Sequence, residues 1–265
     1  MDITINHGTD YGYSAPVSYA LQKVRLRPLA SQVQRVAEWQ IEIAGGRIET
    51  SYRDHHGNHV DLVSLDPGGQ GLRLRAHGTV ETLDGSGVFG RHDGVAPLWY
   101  YRQQTPLTRP GAAIRALPAV APEPAGQLDS LHALSAAILQ ALPYATGTTG
   151  ADTGAEAALQ GTSGVCQDHA QIFVSAARLS GLPARYVSGY LLVNDQTEQE
   201  ATHAWAEVHV EGLGWVGFDV SNGVSPDEKY ARIATGRDAR DAAPVAGLRM
   251  GSAEESLVVS LQVQQ

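Results

Sequence analysis

The 265-residue sequence predicts an α+β fold with two domains. We place an antiparallel β-sandwich-like domain at residues 1–109, a connector at 110–126 and a domain of helices and sheet at 127–265. Three observations support this prediction. Short alternating apolar and polar runs fill the first part, four prolines crowd the connector, and helical periodicity followed by β-rich runs appears only after it.

The β domain is predicted from runs that alternate with a period of two and end at Gly, Pro, Asn or Asp. Each strand should therefore place one face on a core and one in water. The predicted strands lie at residues 39–43 and 47–50, joined as a hairpin at 44–46, then on either side of the turn at 56–58, and at 72–80. Asp and His residues around that turn are expected for a turn, so no metal site is predicted.

Two helices are predicted beyond the connector. Apolar residues from Leu128 to Leu142 recur at helical spacing and stop at Pro143, which indicates an amphipathic helix of about 15 residues. Thr162 or Ser163 can cap a second helix that runs to Ser180. The runs that follow this helix are β-rich.

Composition limits the function. The formal net charge of −9 disfavours binding to nucleic acid or to anionic lipid. No run approaches the roughly 18 apolar residues of a membrane helix, and the first residues lack the features of a signal peptide, so we expect a cytoplasmic protein without a membrane partner. The single cysteine excludes an intrachain disulfide. No cofactor is predicted, and a homo-oligomer stays open.

That cysteine, Cys166, lies in the first turn of the second predicted helix. The positive end of a helix dipole favours the thiolate, which is the nucleophilic form. A free cysteine taken alone is usually a small buried apolar residue, however. Other residues must decide between these two interpretations.

His203 and Asp219 favour the reactive interpretation. They are 16 residues apart, an even number, on two β-rich runs joined by the short loop 211–213. If Val210 pairs with Gly214, His203 and Asp219 share one face as diagonal neighbours within about 8 Å, and a shift of two residues sets them directly opposite. Either register lets the carboxylate orient the imidazole, and the imidazole can then serve a thiol as base.

The residues around these three positions resemble the transglutaminase-like superfamily, in its bacterial branch of transglutaminase-like enzymes and cysteine proteases. The resemblance covers about residues 128–242, and the segment before it resembles the β domain that precedes the core in that branch. The motifs are GVCQDHA at 164–170, GLPARYVSGY at 181–190, THAWAE at 202–207 and GLGWVGFD at 212–219. One departure is Val220, where the family often has proline.

The resemblance implies a papain-like transglutaminase core in which the cysteine helix packs on an antiparallel sheet. It also implies that Cys166 is the nucleophile, His203 the base and Asp219 the orienting residue. We therefore predict cysteine-dependent acyl transfer or hydrolysis at a carboxamide or peptide bond, through a thioester. The substrate would be a protein or peptide that offers a glutamine or amide group. The alternatives are a strictly hydrolytic peptidase or amidase, and a binding module that keeps the fold without turnover.

Such chemistry needs hydrogen-bond donors for the oxyanion. The backbone N–H of Cys166 is the first candidate. For the second, Gln160 has the spacing of the oxyanion glutamine in papain-like proteases, and Tyr144 lies where this family commonly has an aromatic residue. Trp205 is predicted to line the cleft or the core beneath it.

Overall fold

The computed structural model describes residues 1–193, 197–199, 201–250 and 253–265. Within these ranges the strands form three antiparallel sheets, and the helices are few and mostly short. None of the described helices is both long and apolar enough to span a membrane.

Two of the sheets face each other and enclose an apolar core that includes Ile3, Val24, Val63 and Leu74. In spatial order the first sheet has β3 (Gln34–Ala44), β6 (Gly71–Thr82), β1 (Asp2–Tyr13), β14 (Glu255–Gln264) and β9 (Glu198–Gln199). The second has β13 (Val245–Met250), β2 (Tyr19–Val24), β5 (His59–Leu65) and β4 (Gly46–Arg53). These sheets form the β domain.

The third sheet carries the helices on one face. Its order is β12 (Tyr230–Gly236), β8 (Ala184–Leu191), β10 (His203–Val210), β11 (Gly214–Phe218) and β7 (Val88–Gly90). The helices are α1 (Ala112–Arg115), α2 (Gln127–Ala141), α3 (Ala155–Leu159) and α4 (Cys166–Leu179), and a 3-10 helix spans Leu98–Arg102. Helix α4 packs on the sheet through buried residues such as Phe173 and Ala177, which meet Ala206 and Val208 of β10.

The two predicted helices are present. Helix α2 has the expected 15 residues and buries Leu131, Leu134 and Ile138 on one face. Helix α4 begins at Cys166, three or four residues after the predicted cap. It ends just before Gly181, which has a φ of 80° that a residue with a side chain would adopt only with strain.

The predicted hairpin of residues 39–50 is wrong. Strand β3 pairs with β6, and β4 pairs with β5, so the two consecutive strands lie in different sheets. The chain crosses between the sheets at Gly45, where φ is 81° and a Cβ would lie 2.2 Å from the Gly71 oxygen. Alternation indicates that one face is buried, but it does not identify the partner strand. The turn at 56–58 does join β4 and β5, with Arg53 opposite His59.

The sheets cross the predicted domain boundaries. The last two strands, β13 and β14, pair with β2 and β1 in the β domain, while β7 from the first part pairs with β11. Leu261 and Val263 of β14 are buried in the core of the β domain. The segment 110–126 is also not extended throughout, because it contains α1. Pairing between strands that are distant along the chain leaves no local pattern in the sequence. For that reason the predicted domains simply followed the order of the sequence.

Candidate active site

Cys166 is the first residue of α4, and the helix start is anchored by Asp168. One Asp168 carboxylate oxygen accepts a hydrogen bond from the Val165 N–H at 2.8 Å and another from the Thr149 hydroxyl at 2.6 Å. Asp168 is fully buried. The first N–H groups of a helix lack acceptors within the helix, so the backbone N–H of Cys166 remains available to a ligand. The geometry of Asp168 is that of a local anchor for the nucleophile.

His203 and Asp219 come together at the open end of the β10–β11 hairpin. The register places Val210 opposite Gly214, which is the first of the two registers considered from the sequence. His203 Nε2 lies 2.7 Å from Asp219 Oδ2. The other ring nitrogen, Nδ1, is therefore the one left for the thiol of Cys166, whose proximity is among the causes that raise the pKa of the imidazole.

Asp219 is fully buried, and every donor around it stabilises its anionic form. Besides the imidazole, Oδ2 accepts hydrogen bonds from Asn222 Nδ2 and from the Tyr230 hydroxyl, each at 2.7 Å. Oδ1 accepts one from the Asn222 N–H at 3.3 Å. The backbone of Asp219 pairs with Val224 in both directions. The carboxylate is thus fixed in one orientation.

Burial and charge act in opposite directions on this pair. Burial alone would lower the pKa of His203, but the hydrogen bonds to Asp219 and Cys166 and their negative charges outweigh it and raise that pKa to about 10. Burial would likewise raise the pKa of Asp219, yet the bonds from His203, Asn222 and Tyr230 hold it below its ordinary value. The geometry therefore favours an imidazolium beside a carboxylate.

Cys166 and His203 open onto a cleft of about 810 Å³. Most of its remaining lining is apolar or neutral, with Val165, Tyr186, Val193 and Pro244 among the contributors. One ion pair, Asp152 Oδ1 to Arg240 Nη2 at 2.7 Å, joins two of the residues that line the cleft. Both side chains are more than half exposed, so the pair adds little to stability and can reorganise around a ligand.

Three residues were predicted to be the second oxyanion donor or to line the cleft, and they lie in different surroundings. Tyr144 lines the cleft, and burial together with the nearby Cys166 and Asp219 raises the pKa of its hydroxyl. Gln160 lies away from the described cleft and donates to Glu156 Oε1 at 2.9 Å. Trp205 is buried under His203, with ring centroids 6.4 Å apart. Tyr144 alone of the three stays near the nucleophile.

Several residues that position the site were not identified from the sequence. His169 is buried, donates from Nε2 to the Leu142 oxygen at 2.7 Å and accepts at Nδ1 from the Ser221 hydroxyl at 2.8 Å. It thereby ties α4 to the loop after Asp219, and burial lowers its pKa. Asn222 could have been identified from the sequence, because Asp219 is followed three residues later by Asn222 and Gly223. Such a run is typical of a turn that a side chain caps. Tyr230 could not have been identified from a local sequence pattern, because it lies on a different strand, β12.

Two family profiles match the chain. Residues 118–220, which include Cys166, His203 and Asp219, match the transglutaminase-like superfamily, and residues 3–81 match the bacterial transglutaminase-like N-terminal region. The chain thus contains a transglutaminase-like core preceded by a bacterial transglutaminase-like N-terminal region. Both parts of the resemblance drawn from the sequence are thereby confirmed.

Proteins similar to this chain match it over almost its whole length. An uncharacterized protein of Mycobacterium leprae is 29% identical over 276 residues, covering 97% of this chain and 96% of its own. One from Mycobacterium tuberculosis is 27% identical over 288 residues, covering 98% and 91%. The crystal structure of a "putative cysteine protease" from Cytophaga hutchinsonii superimposes with a TM-score of 0.74 at 21% identity, covering 100% of this chain and 91% of that one. The chain therefore shares the fold of that protein over its whole length.

Proposed function

We propose that the protein is an enzyme that transfers or hydrolyses acyl groups through a thioester on Cys166. The observation that carries the proposal is the arrangement of the His203 ring. Its Nε2 is held at 2.7 Å by a buried carboxylate, and the ring shares one cleft with the thiol of Cys166 at a helix start, which helps to raise the pKa of the ring. A nucleophile, a base and an orienting acid in this order are what thiol-based acyl transfer needs.

In the first half of the reaction, the Cys166 sulfur attacks the carbonyl carbon of a carboxamide or peptide bond. The carbonyl electrons move to oxygen, and in this proposal the backbone N–H of Cys166 and the Tyr144 hydroxyl donate hydrogen bonds to it. The tetrahedral intermediate collapses to a thioester as the C–N bond breaks. The imidazolium of His203 gives its proton to the departing ammonia or amine.

In the second half, His203 accepts a proton from water or from an acceptor amine, which then attacks the thioester. Collapse releases a carboxylic acid or a new amide and restores the thiolate. Asp219 remains ionised throughout, stabilises the imidazolium and fixes the ring orientation. The difference between hydrolase and transferase is only whether water or an amine reaches the thioester.

The cleft supports a protein or peptide substrate. A volume of about 810 Å³ accommodates a glutamine side chain with adjacent backbone, and its lining is largely uncharged. Strict hydrolysis is the second candidate, since the similar protein from Cytophaga hutchinsonii is described as a cysteine protease and the cleft here is open to water.

The experiment is incubation of the whole chain with a glutamine-containing peptide and a fluorescent primary amine. Release of ammonia together with amine incorporation would establish transfer. Ammonia without incorporation, or cleavage of the peptide backbone, would establish hydrolysis. Peptide binding without any turnover would support the binding module and contradict the proposal.

Cys166→Ala is the control. It removes one sulfur at a half-buried position, so the fold should persist while turnover disappears. Alkylation by iodoacetamide gives an independent readout, because Cys166 is the single cysteine in the sequence. We expect rapid labelling at neutral pH that slows in His203→Ala.

A further inference from the structure

A second cavity lies on the face of the third sheet opposite α4. Arg185 and Glu207 are paired residues of β8 and β10, and their sequence neighbours Ala184, Ala206 and Val208 pack against the helices. Because side chains alternate along a strand, Arg185 and Glu207 face the β domain. The cavity has a volume of about 190 Å³ and is lined from both domains. It is separate from the cleft of Cys166.

Two buried arginines share one buried carboxylate at this cavity. Arg185 Nε lies 2.7 Å from Glu207 Oε2, and Arg232 Nη1 lies 3.3 Å from Glu207 Oε1. Glu207 is fully buried, and each arginine side chain is less than one-tenth exposed. A guanidinium stays charged in proteins, so the group carries an excess positive charge away from bulk water. That excess is costly unless an anion compensates it.

Both arginines have donors left over. Among the described residues, Arg185 Nη1 and Arg232 Nη2 have no hydrogen-bond partner, and Arg232 Nε is buried without one. Each guanidinium lies over an aromatic ring, Arg185 at 4.0 Å from the Trp215 centroid and Arg232 at 5.1 Å from that of Phe89. The rings hold the two planar groups in place, which leaves their edges to meet a ligand.

The rest of the lining adds positive charge. Arg53 and Arg91 line the same cavity from exposed positions, and Asp93 is the one acidic residue among its described lining. Four arginines therefore face Asp93 and the buried Glu207, in a chain whose net charge is −9. A local excess of about two positive charges on an acidic protein attracts anions to this point.

We propose that this cavity, the arginine cavity, binds a small oxyanion, namely a carboxylate or phosphoryl group. Paired guanidinium edges match the two oxygens of such a group better than they match a spherical ion. A volume of about 190 Å³ holds one such anion and a few waters, each of which takes about 30 Å³, but not a peptide. The site does not depend on the proposed acyl-transfer activity.

The experiment measures thermal unfolding of the whole chain in increasing inorganic phosphate, succinate or chloride at matched ionic strength. We expect phosphate, succinate or both to raise Tm saturably by about 3 °C or more over chloride. The emission of Trp215 should change with the same midpoint, because its ring contacts Arg185. A response to phosphate alone would identify a phosphoryl group, and a response to succinate would identify a carboxylate.

The exposed residue Arg91 provides a variant that should fold. Arg91→Gln is expected to raise the half-saturating concentration about tenfold, whereas Arg115→Gln, an exposed arginine on α1 away from the cavity, should leave it unchanged. The proposal is overturned if chloride stabilises as much as the oxyanions do. It is also overturned if Arg91→Gln and Arg53→Gln both respond like the wild type.

Discussion

The reactive pair depends on residues that take no part in bond making. Asp219 is oriented by the Asn222 amide and the Tyr230 hydroxyl as well as by His203, so its carboxylate cannot rotate without losing hydrogen bonds. All of these groups donate, which means that only an ionised acceptor satisfies them together. The site is therefore specific for a carboxylate at position 219.

Asp219→Asn is expected to keep the fold and lower kcat by about 10³–10⁴-fold. An amide can present an N–H to donors that require an acceptor, and it cannot stabilise an imidazolium. The measurement is the steady-state turnover of Asp219→Asn. The control is Asp129→Asn, the same substitution in the first turn of α2. Normal turnover by Asp219→Asn would reduce Asp219 to a turn residue.

The titration of His203 tests whether the two side chains communicate. With a pKa raised to about 10, the imidazolium stabilises the fold fully below its ordinary pKa of about 6.5, and this stabilisation is lost as the pH rises through about 10. Cys166→Ala removes the thiol, whose proximity helps to raise the pKa of His203, so the midpoint should fall. The NMR signal of the His203 ring measures it. Identical midpoints in the two proteins would show that the thiol and the imidazole do not interact.

At the scale of elements, Gly189 allows β8 to pack tightly between β12 and β10, the strand that carries His203. Gly189 lies opposite His203, and a Cβ there would be 2.3 Å from the Ala231 oxygen and 2.6 Å from Trp205 Cη2. Trp205 is buried directly beneath the His203 ring. A side chain at position 189 would therefore have to displace either the β12 backbone or Trp205, which lies beneath the His203 imidazole.

Gly189→Ala should destabilise the protein by about 1–3 kcal/mol and reduce turnover as well, because the added methyl displaces Trp205 or the β12 backbone. Gly150→Ala is the control, since a Cβ there meets nothing within 4 Å. Urea unfolding and turnover of both variants are the measurements. Wild-type values for Gly189→Ala would mean that the strand shifts freely.

These elements also show which features of the fold and of the site could be predicted from the sequence. The parity between His203 and Asp219 predicted their shared face, because the loop between β10 and β11 is short and the register follows from it. Gln160 was drawn from spacing alone, and the structure turns it toward Glu156 because α3 carries it away from the cleft. Tyr230 and the partner of β3 depend on contacts distant along the chain, which local patterns do not record.

For the whole molecule, the β domain and the third sheet share one core. Ile3 and Ile5 of β1 belong to the same apolar cluster as Tyr190 of β8 and Ile233 of β12. His7 Nδ1 also lies 2.9 Å from the buried Tyr190 hydroxyl, and burial, aided by Arg75, lowers the pKa of His7 to about 4. A neutral histidine thus links the two parts across physiological pH. We expect them to unfold together.

Leu261→Ala on β14 tests this expectation. The residue is 2% exposed within the shared core, so its truncation should cost about 2–5 kcal/mol. Leu257→Ala, on the same strand but 53% exposed, should stay within about 0.5 kcal/mol of the wild type. Unfolding followed by circular dichroism and by tryptophan emission should give one midpoint for each protein. Separate midpoints would show two independent units.

The position of β14 between β1 and β9 also has a consequence during translation. Thr4 pairs with Gln264, so during synthesis β1 waits until 264 − 4 = 260 further residues have been added. At about 5–20 residues per second, that wait is on the order of 10–50 s. Meanwhile the edge of β1 has no partner on that side and can pair with another nascent chain. The protein therefore acquires its native first sheet only after synthesis has passed the catalytic residues, and chaperone dependence should be greatest in that interval.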